Sequence, residues 1–224
     1  ISENKNSYLR QIAQNLKNEI FDHNNFIGGR YSVLSEVGML PAELMGFDPK
    51  KFRQYDNIIK NKNFLKNLIL NVESSMRFIK KGYTNSIILN YDEEAENLFK
   101  WYQQLIAESL GKKSKGLLPV ISTMPKDNHS LLQLYLDGPK KNFFTFFESK
   151  NAISDSIPGK SVLKQKKYLR FKKLSTIINA QKKATQRIFE LNKIPFRSFE
   201  ILKKDENSLG VLFCFFVLET ILLG

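Results

Sequence analysis

Ser86-Ile87-Ile88-Leu89-Asn90-Tyr91 is a short β-branched and aromatic run that does not alternate apolar with charged residues. That is the pattern of a strand buried on both faces of a parallel sheet. Working outward, Asp92 reads as the cap of a helix running to about Leu110, with Leu98, Trp101, Tyr102 and Leu105 on one face and Gly111 as its stop. Leu117 to Ser122 predicts a second strand, and Asn128 to Asp137 a helix ended by Gly138-Pro139. Asn142 to Phe147, with four phenylalanines, predicts a third strand, and Leu174 to Leu191 a further helix. Ile194 to Leu202 predicts a fourth strand, which Pro195 marks as an edge. Strand and helix alternate, so the fold class is α/β, a parallel sheet with helices on both faces.

Upstream, Ser7 to Leu16 reads as a helix capped by Ser7, followed by an extended Ile20-Phe21 and a polar loop, Asp22-His23-Asn24-Asn25. Tyr31 to Met45 and Phe52 to Lys80 read as flanking helical segments. The last sixteen residues, Leu209 to Gly224, are almost all apolar, yet they fall short of the roughly 20 a membrane helix needs and contain Glu219. They read as a core helix, with no membrane involved. A chain that opens at Ile1 and closes on such a helix reads as a segment open at both ends.

Composition narrows the function classes. The chain has 224 residues, 42% hydrophobic and 25% charged, which suits a globular fold and excludes disorder. One cysteine, Cys214, and two histidines give no basis for a disulfide framework or a zinc site, and the cytoplasm is the natural setting. No secretory signal pattern opens the chain. The net charge of +13 comes largely from Lys160 to Lys193, where eleven Lys or Arg face one acid, Glu190. Aromatic residues are sparse there and no nucleic-acid motif accompanies them, so this reads as a solvated face rather than a nucleic-acid surface.

Three local patterns carry chemistry. Gly28-Gly29-Arg30-Tyr31-Ser32 suits close approach of backbone to a ligand beside an anion-holding arginine, although composition alone favours a tight turn with a surface arginine. Glu108 lies in the last turn of its helix, where the negative end of the dipole disfavours a second negative charge. It fits a general base that later returns its proton, or a surface glutamate paired with Lys112 or Lys113. His129, at the head of a helix after Asp127-Asn128, fits a proton carrier or a simple cap. His23 has nothing around it in the sequence to single it out. The residues alone leave function open.

Taken together, the patterns resemble a known family. Asn25-Phe26-Ile27-Gly28-Gly29-Arg30-Tyr31-Ser32-Val33-Leu34-Ser35 is similar to the first signature of phosphoglucose isomerases, with Glu36 where a small residue is usual. Gln104 through Lys112 resembles the family's Glu-Ser-x-Gly-Lys run, and Asp127-Asn128-His129-Ser130 with Gln133 its histidine motif. The resemblance implies interconversion of glucose 6-phosphate and fructose 6-phosphate through a cis-enediol(ate), without metal or organic cofactor. It implies Glu108 as the base, Arg30 as the stabiliser of the enediolate and His129 as the group assisting ring opening, reaching the partner's site in a homodimer. It also implies substrate contacts from Gly29, Gln104 and Lys112. Residues 1–21 would be the tail of a first sugar-isomerase domain, 22–82 a helical connection, 83–203 the second sugar-isomerase domain and 204–224 the start of a C-terminal helical region. The family's phosphate-binding loops and its C-terminal catalytic lysine have no counterpart in these residues, so the segment alone is expected to be inactive. A non-catalytic sugar-phosphate-binding module is the alternative.

Overall fold

The computed structural model describes residues 1–150, 154–161 and 164–224. In chain order the elements are β1 (Ser2–Glu3), α1 (Tyr8–Asn15), β2 (Asp22–His23), α2 (Glu36–Leu44), α3 (Pro49–Phe52), α4 (Tyr55–Lys60), α5 (Lys62–Lys80) and β3 (Asn85–Asn90). They continue as α6 (Glu96–Leu110), β4 (Leu118–Thr123), α7 (Asn128–Asp137), β5 (Asn142–Ser149), α8 (Leu174–Leu191), β6 (Phe196–Ile201) and α9 (Glu206–Leu223). The chain divides into two compact units: Ile1–Ser74 with Glu108–Leu110 and Asp205–Gly224, and Ser75–Ala107 with Gly111–Lys204.

The second unit holds the predicted sheet. Among the described residues four strands run parallel in the order β4-β3-β5-β6, with β6 at an edge. Ile87 and Leu89 of β3 lie opposite Phe144 and Phe146 of β5, and these four share a core with Tyr135 of α7 and Phe189 of α8. The ring centroid of Phe189 is 4.8 Å from Phe144 and 5.5 Å from Phe146. The other face belongs to α6 and the end of α5: Phe147 packs edge-on against Phe99 at 4.8 Å, and Phe143 stacks on Phe78 at 6.1 Å. Helices therefore cover both faces, and every sheet position on β3 from Ser86 to Asn90 is buried. This is why the run lacks alternation.

A charged knot interrupts the apolar packing of the sheet unit. Lys182 of α8, 2% exposed, pairs with Glu148 of β5 and lies 3.0 Å from Glu200 of β6. Asn179 donates to Glu148 at 2.8 Å and Lys150 meets Glu200 at 3.0 Å. Two ammonium groups hold the Glu200 carboxyl down at about 2.

In the first unit β1 pairs in parallel with β2, and Ser7 caps α1 by accepting from the Arg10 amide. One of its core clusters is Leu34, Met39, Ala42 and Phe52, with Leu209 and Phe213 of α9 against it. Gly210 sets how closely α9 meets α3, because a Cβ there would lie 2.4 Å from the Phe52 carbonyl oxygen. By length and composition α9 could cross a membrane. Within this unit it buries Leu212, Cys214, Phe215 and Phe216, and Glu219 is fully buried too.

Two local expectations change. Asp92 caps a 3-10 turn, Glu93–Ala95, by accepting from the Glu94 amide, and α6 proper begins only at Glu96. Gly111 ends α6 with φ of −75°, so it is not a left-handed stop. It is needed for space, since a Cβ would sit 2.5 Å from the Ala107 carbonyl oxygen. The left-handed backbone comes later, at Lys113 and Ser114.

Candidate active site

Arg30 is set by the fold of its own loop. Gly29–Leu34 is a 3-10 turn, closed by the Ser32 hydroxyl donating to the Gly29 carbonyl at 2.7 Å. Ser35 then caps α2 through the Val37 amide, and Arg53 Nε holds the Leu34 carbonyl at 2.8 Å. Both Gly28 and Gly29 face open space, with nothing within 4 Å of a would-be Cβ. Their backbone is accessible, as the sequence pattern allows.

The loop delivers Arg30 to the end of α6. Arg30 Nε donates to Ser109 Oγ at 2.7 Å, and Nη1 lies 3.4 Å from Glu108 Oε2. The Tyr31 hydroxyl reaches the same Ser109 oxygen at 2.9 Å, and the guanidinium sits 5.0 Å from the Tyr31 ring centroid. Residues 78 positions apart in sequence are thereby brought into one patch. Ser109 is buried, Arg30 is 25% exposed and Glu108 49%. The arrangement sets an open carboxylate, able to take a proton, beside a permanently charged donor array fixed by a buried serine. Such a pair can remove a proton from a carbon acid and stabilise the oxyanion that results.

The remaining candidates lie in the second unit. On α6 the exposed stripe includes Gln104, while Leu105 and Ile106 are buried. Lys112 opens a tight turn in which it pairs with Lys115 across the left-handed Lys113 and Ser114. His129, second residue of α7, is exposed, and Asp127 before it accepts from the Thr123 amide at 2.8 Å. At the carboxyl ends of β3 and β5 a cleft of about 730 Å³ is lined by Asp92, Glu148, Lys150 and Lys204 among others. Its charges are paired internally, Lys204 with Asp92 and Glu94, and Glu148 with Lys182.

Three participants were not legible from the residues. Ser109 and Tyr31 sit inside recognised motifs, but nothing in their spacing says that both converge on Arg30. The third is His23, whose Nδ1 pairs with Glu36 and whose Nε2 is 2.9 Å from the Ile27 carbonyl. The one signal was Glu36 itself, a charged residue at a position expected to be small.

Known proteins match this chain in sequence and shape. The family model for phosphoglucose isomerase matches residues 6–122. The glucose-6-phosphate isomerase of Methanocaldococcus jannaschii is 33% identical over 222 residues, which is 96% of this chain and 55% of that protein. That of Campylobacter jejuni is 31% identical over 226 residues, again 96% and 55%. The chain spans about half the length of the curated relatives it matches. Among solved structures, a hypothetical protein of Thermus thermophilus superposes with a TM-score of 0.87 at 23% identity, covering 100% of this chain and 56% of that one. A glucose-6-phosphate isomerase from Chlamydia trachomatis superposes with 0.68 at 17% identity, covering 96% and 50%. These two likenesses speak to the fold.

Proposed function

The chain belongs to the phosphoglucose isomerase family, and from that premise we propose that it carries catalytic groups for interconverting glucose 6-phosphate and fructose 6-phosphate. The observation that supports this most is the Arg30, Ser109 and Glu108 patch, formed where two separate family motifs meet. Moving a hydrogen between C2 and C1 of a sugar needs a carboxylate on one face of a planar enediolate and positive charge beside its oxygens. Glu108 is the base in this reading. Arg30 stabilises the developing oxyanion, worth most where the donor is already fixed, as Ser109 fixes it. Gly29, Gln104 and Lys112 contact the sugar phosphate, and His129 assists ring opening in the partner subunit of a homodimer. Residues 83–203 are the second sugar-isomerase domain in this reading, and the reaction takes place in the cytoplasm without a metal or organic cofactor.

The test is Glu108→Gln in the complete product of the gene, assayed with fructose 6-phosphate in deuterated water. Removing a general base costs on the order of 10³-fold in rate, with parallel loss of solvent deuterium from the product. Full activity in the variant would sink the assignment of Glu108.

A further inference from the structure

His23 lies outside every motif that the proposed reaction uses, yet it is bonded at both ring nitrogens. Nδ1 faces the Glu36 carboxylate and Nε2 faces the Ile27 carbonyl oxygen at 2.9 Å. Neither partner has a hydrogen to offer. A neutral imidazole carries only one N–H, so it would set a lone pair against one of these acceptors. Only the imidazolium satisfies both. The ring is 10% exposed, so water does not readily replace either partner.

The positions of the two acceptors matter more than their strength. Ile27 immediately precedes, and Glu36 immediately follows, the segment Gly28–Ser35 that contains Arg30. One imidazolium thus bridges both ends of the Arg30 loop. The Asn24 amide adds a bond to the same Glu36 oxygen at 3.1 Å, and the Ile27 amide donates to the Asn24 carbonyl at 3.0 Å. His23 itself is anchored in β2, opposite Glu3 of β1.

We propose that His23 is a positioning residue for Arg30: in its charged form it closes the Gly28–Ser35 loop at both ends and so fixes the guanidinium on Ser109. Loss of the ring proton frees one end of the loop and loosens the Arg30 Nε to Ser109 bond. Its importance to turnover rests on the reading of Arg30 as the group beside the enediolate.

The charges around His23 favour the imidazolium. Glu36 on α2 is bonded to it, and Glu3 on β1 faces it, itself paired with Lys5. Asp22, the preceding residue, is engaged by Arg10 of α1 at 2.7 Å. The Glu36 hydrogen bond, then the Ile27 carbonyl, raise the His23 titration above the usual imidazole range, with burial opposing.

The experiment is an NMR pH titration of the 224-residue chain, following the His23 ring nitrogens and the Arg30 Nε–H resonance together. The expected result is a shared midpoint above the ordinary value of about 6.5, with the Arg30 signal shifting or broadening as His23 loses its proton. In Glu36→Gln, which keeps size and removes the charge, both midpoints move down together; Glu36→Asp returns them part of the way. If either variant does not fold, the wild-type comparison decides alone. An Arg30 resonance that stays fixed while His23 titrates overturns the proposal. So does one that moves with a midpoint indifferent to Glu36. No substrate is involved, so full activity of Glu108→Gln would defeat the isomerase reading and leave this one standing, while an immobile Arg30 would defeat this one whatever the activity.

Discussion

In the sheet unit, Phe144, Phe146 and Phe189 are at most 1% exposed and their rings lie within 6 Å of neighbouring rings. The unit that holds Arg30 also has apolar mass, with Leu68, Leu212, Phe215 and Phe216 buried, but the loop around Arg30 takes its order from polar bonds: Arg30 to Ser109, Tyr31 to Ser109, Arg53 to the Leu34 carbonyl, His23 to Glu36. The difference teaches how a fold divides labour. Apolar mass is non-directional and builds a scaffold, whereas hydrogen bonds to charged groups are directional and can aim a guanidinium.

The comparison can be broken most easily at the aromatic stack. Phe146 contacts the rings of Phe189 at 5.5 Å and Phe196 at 5.2 Å. Phe146→Ala should cost about 4 kcal/mol of unfolding free energy in denaturant, as deletion of a buried ring does. A loss under about 1 kcal/mol would mean the sheet core is looser than its packing implies.

Next comes the charged knot inside that same scaffold. Lys182→Met removes the ammonium facing Glu148 and Glu200 and strands a buried carboxylate, which should cost about 3 kcal/mol. Adding Glu148→Leu should recover most of it, because the pair as a whole contributes far less than either half alone costs to remove. Failure to recover would show that the knot specifies the β5 to β6 register rather than merely balancing charge.

In the other unit the corresponding probe is Gly210→Ala. The new methyl would fall 2.4 Å from the Phe52 carbonyl oxygen, so α9 must shift from α3. Overpacking of this kind costs about 2 kcal/mol. Thermal or chemical unfolding would register it, and an unchanged midpoint would refute the close approach.

What could be read in advance follows the same division. Runs such as Ser86–Tyr91, Asn142–Phe147 and Leu174–Leu191 carry their structure in local periodicity and turn residues, so strands, helices and the edge position of β6 were visible from the sequence. The start of α6 was not, because Asp92 is bonded to the Ser149 hydroxyl and the Lys204 ammonium as well as to its cap partner, contacts between residues more than fifty positions apart. Ser109 and His23 were hidden for the same reason. Their partners are set by tertiary placement, which leaves no period in the chain. Arg30 and Glu108 were found through resemblance to family motifs; spacing alone left each as consistent with a surface charge.

The smallest effect should be the most selective between the two units, and it comes from pH. Glu36 and the Ile27 carbonyl raise the His23 titration, so the stability His23 contributes is complete below 6.5 and is lost as pH rises through the raised value. Glu36 is lowered by its own amide and by His23, so its contribution is complete above 4.5 and is lost as pH falls through the lowered value. The loop from Asn24 to Glu36 should therefore be tightest between about 4.5 and 6.5 and loosen on the alkaline side first. The shifted groups of the sheet unit titrate elsewhere: Glu200 at about 2, Lys150 and Lys204 above 10.5, Tyr91 and Tyr135 above 10. Amide exchange corrected for its intrinsic pH dependence should then show protection falling in residues 24–36 as pH rises above 6.5, with β3 and β5 unchanged. Loss of protection in both units at once would mean that the scaffold, rather than the His23 clamp, responds to pH.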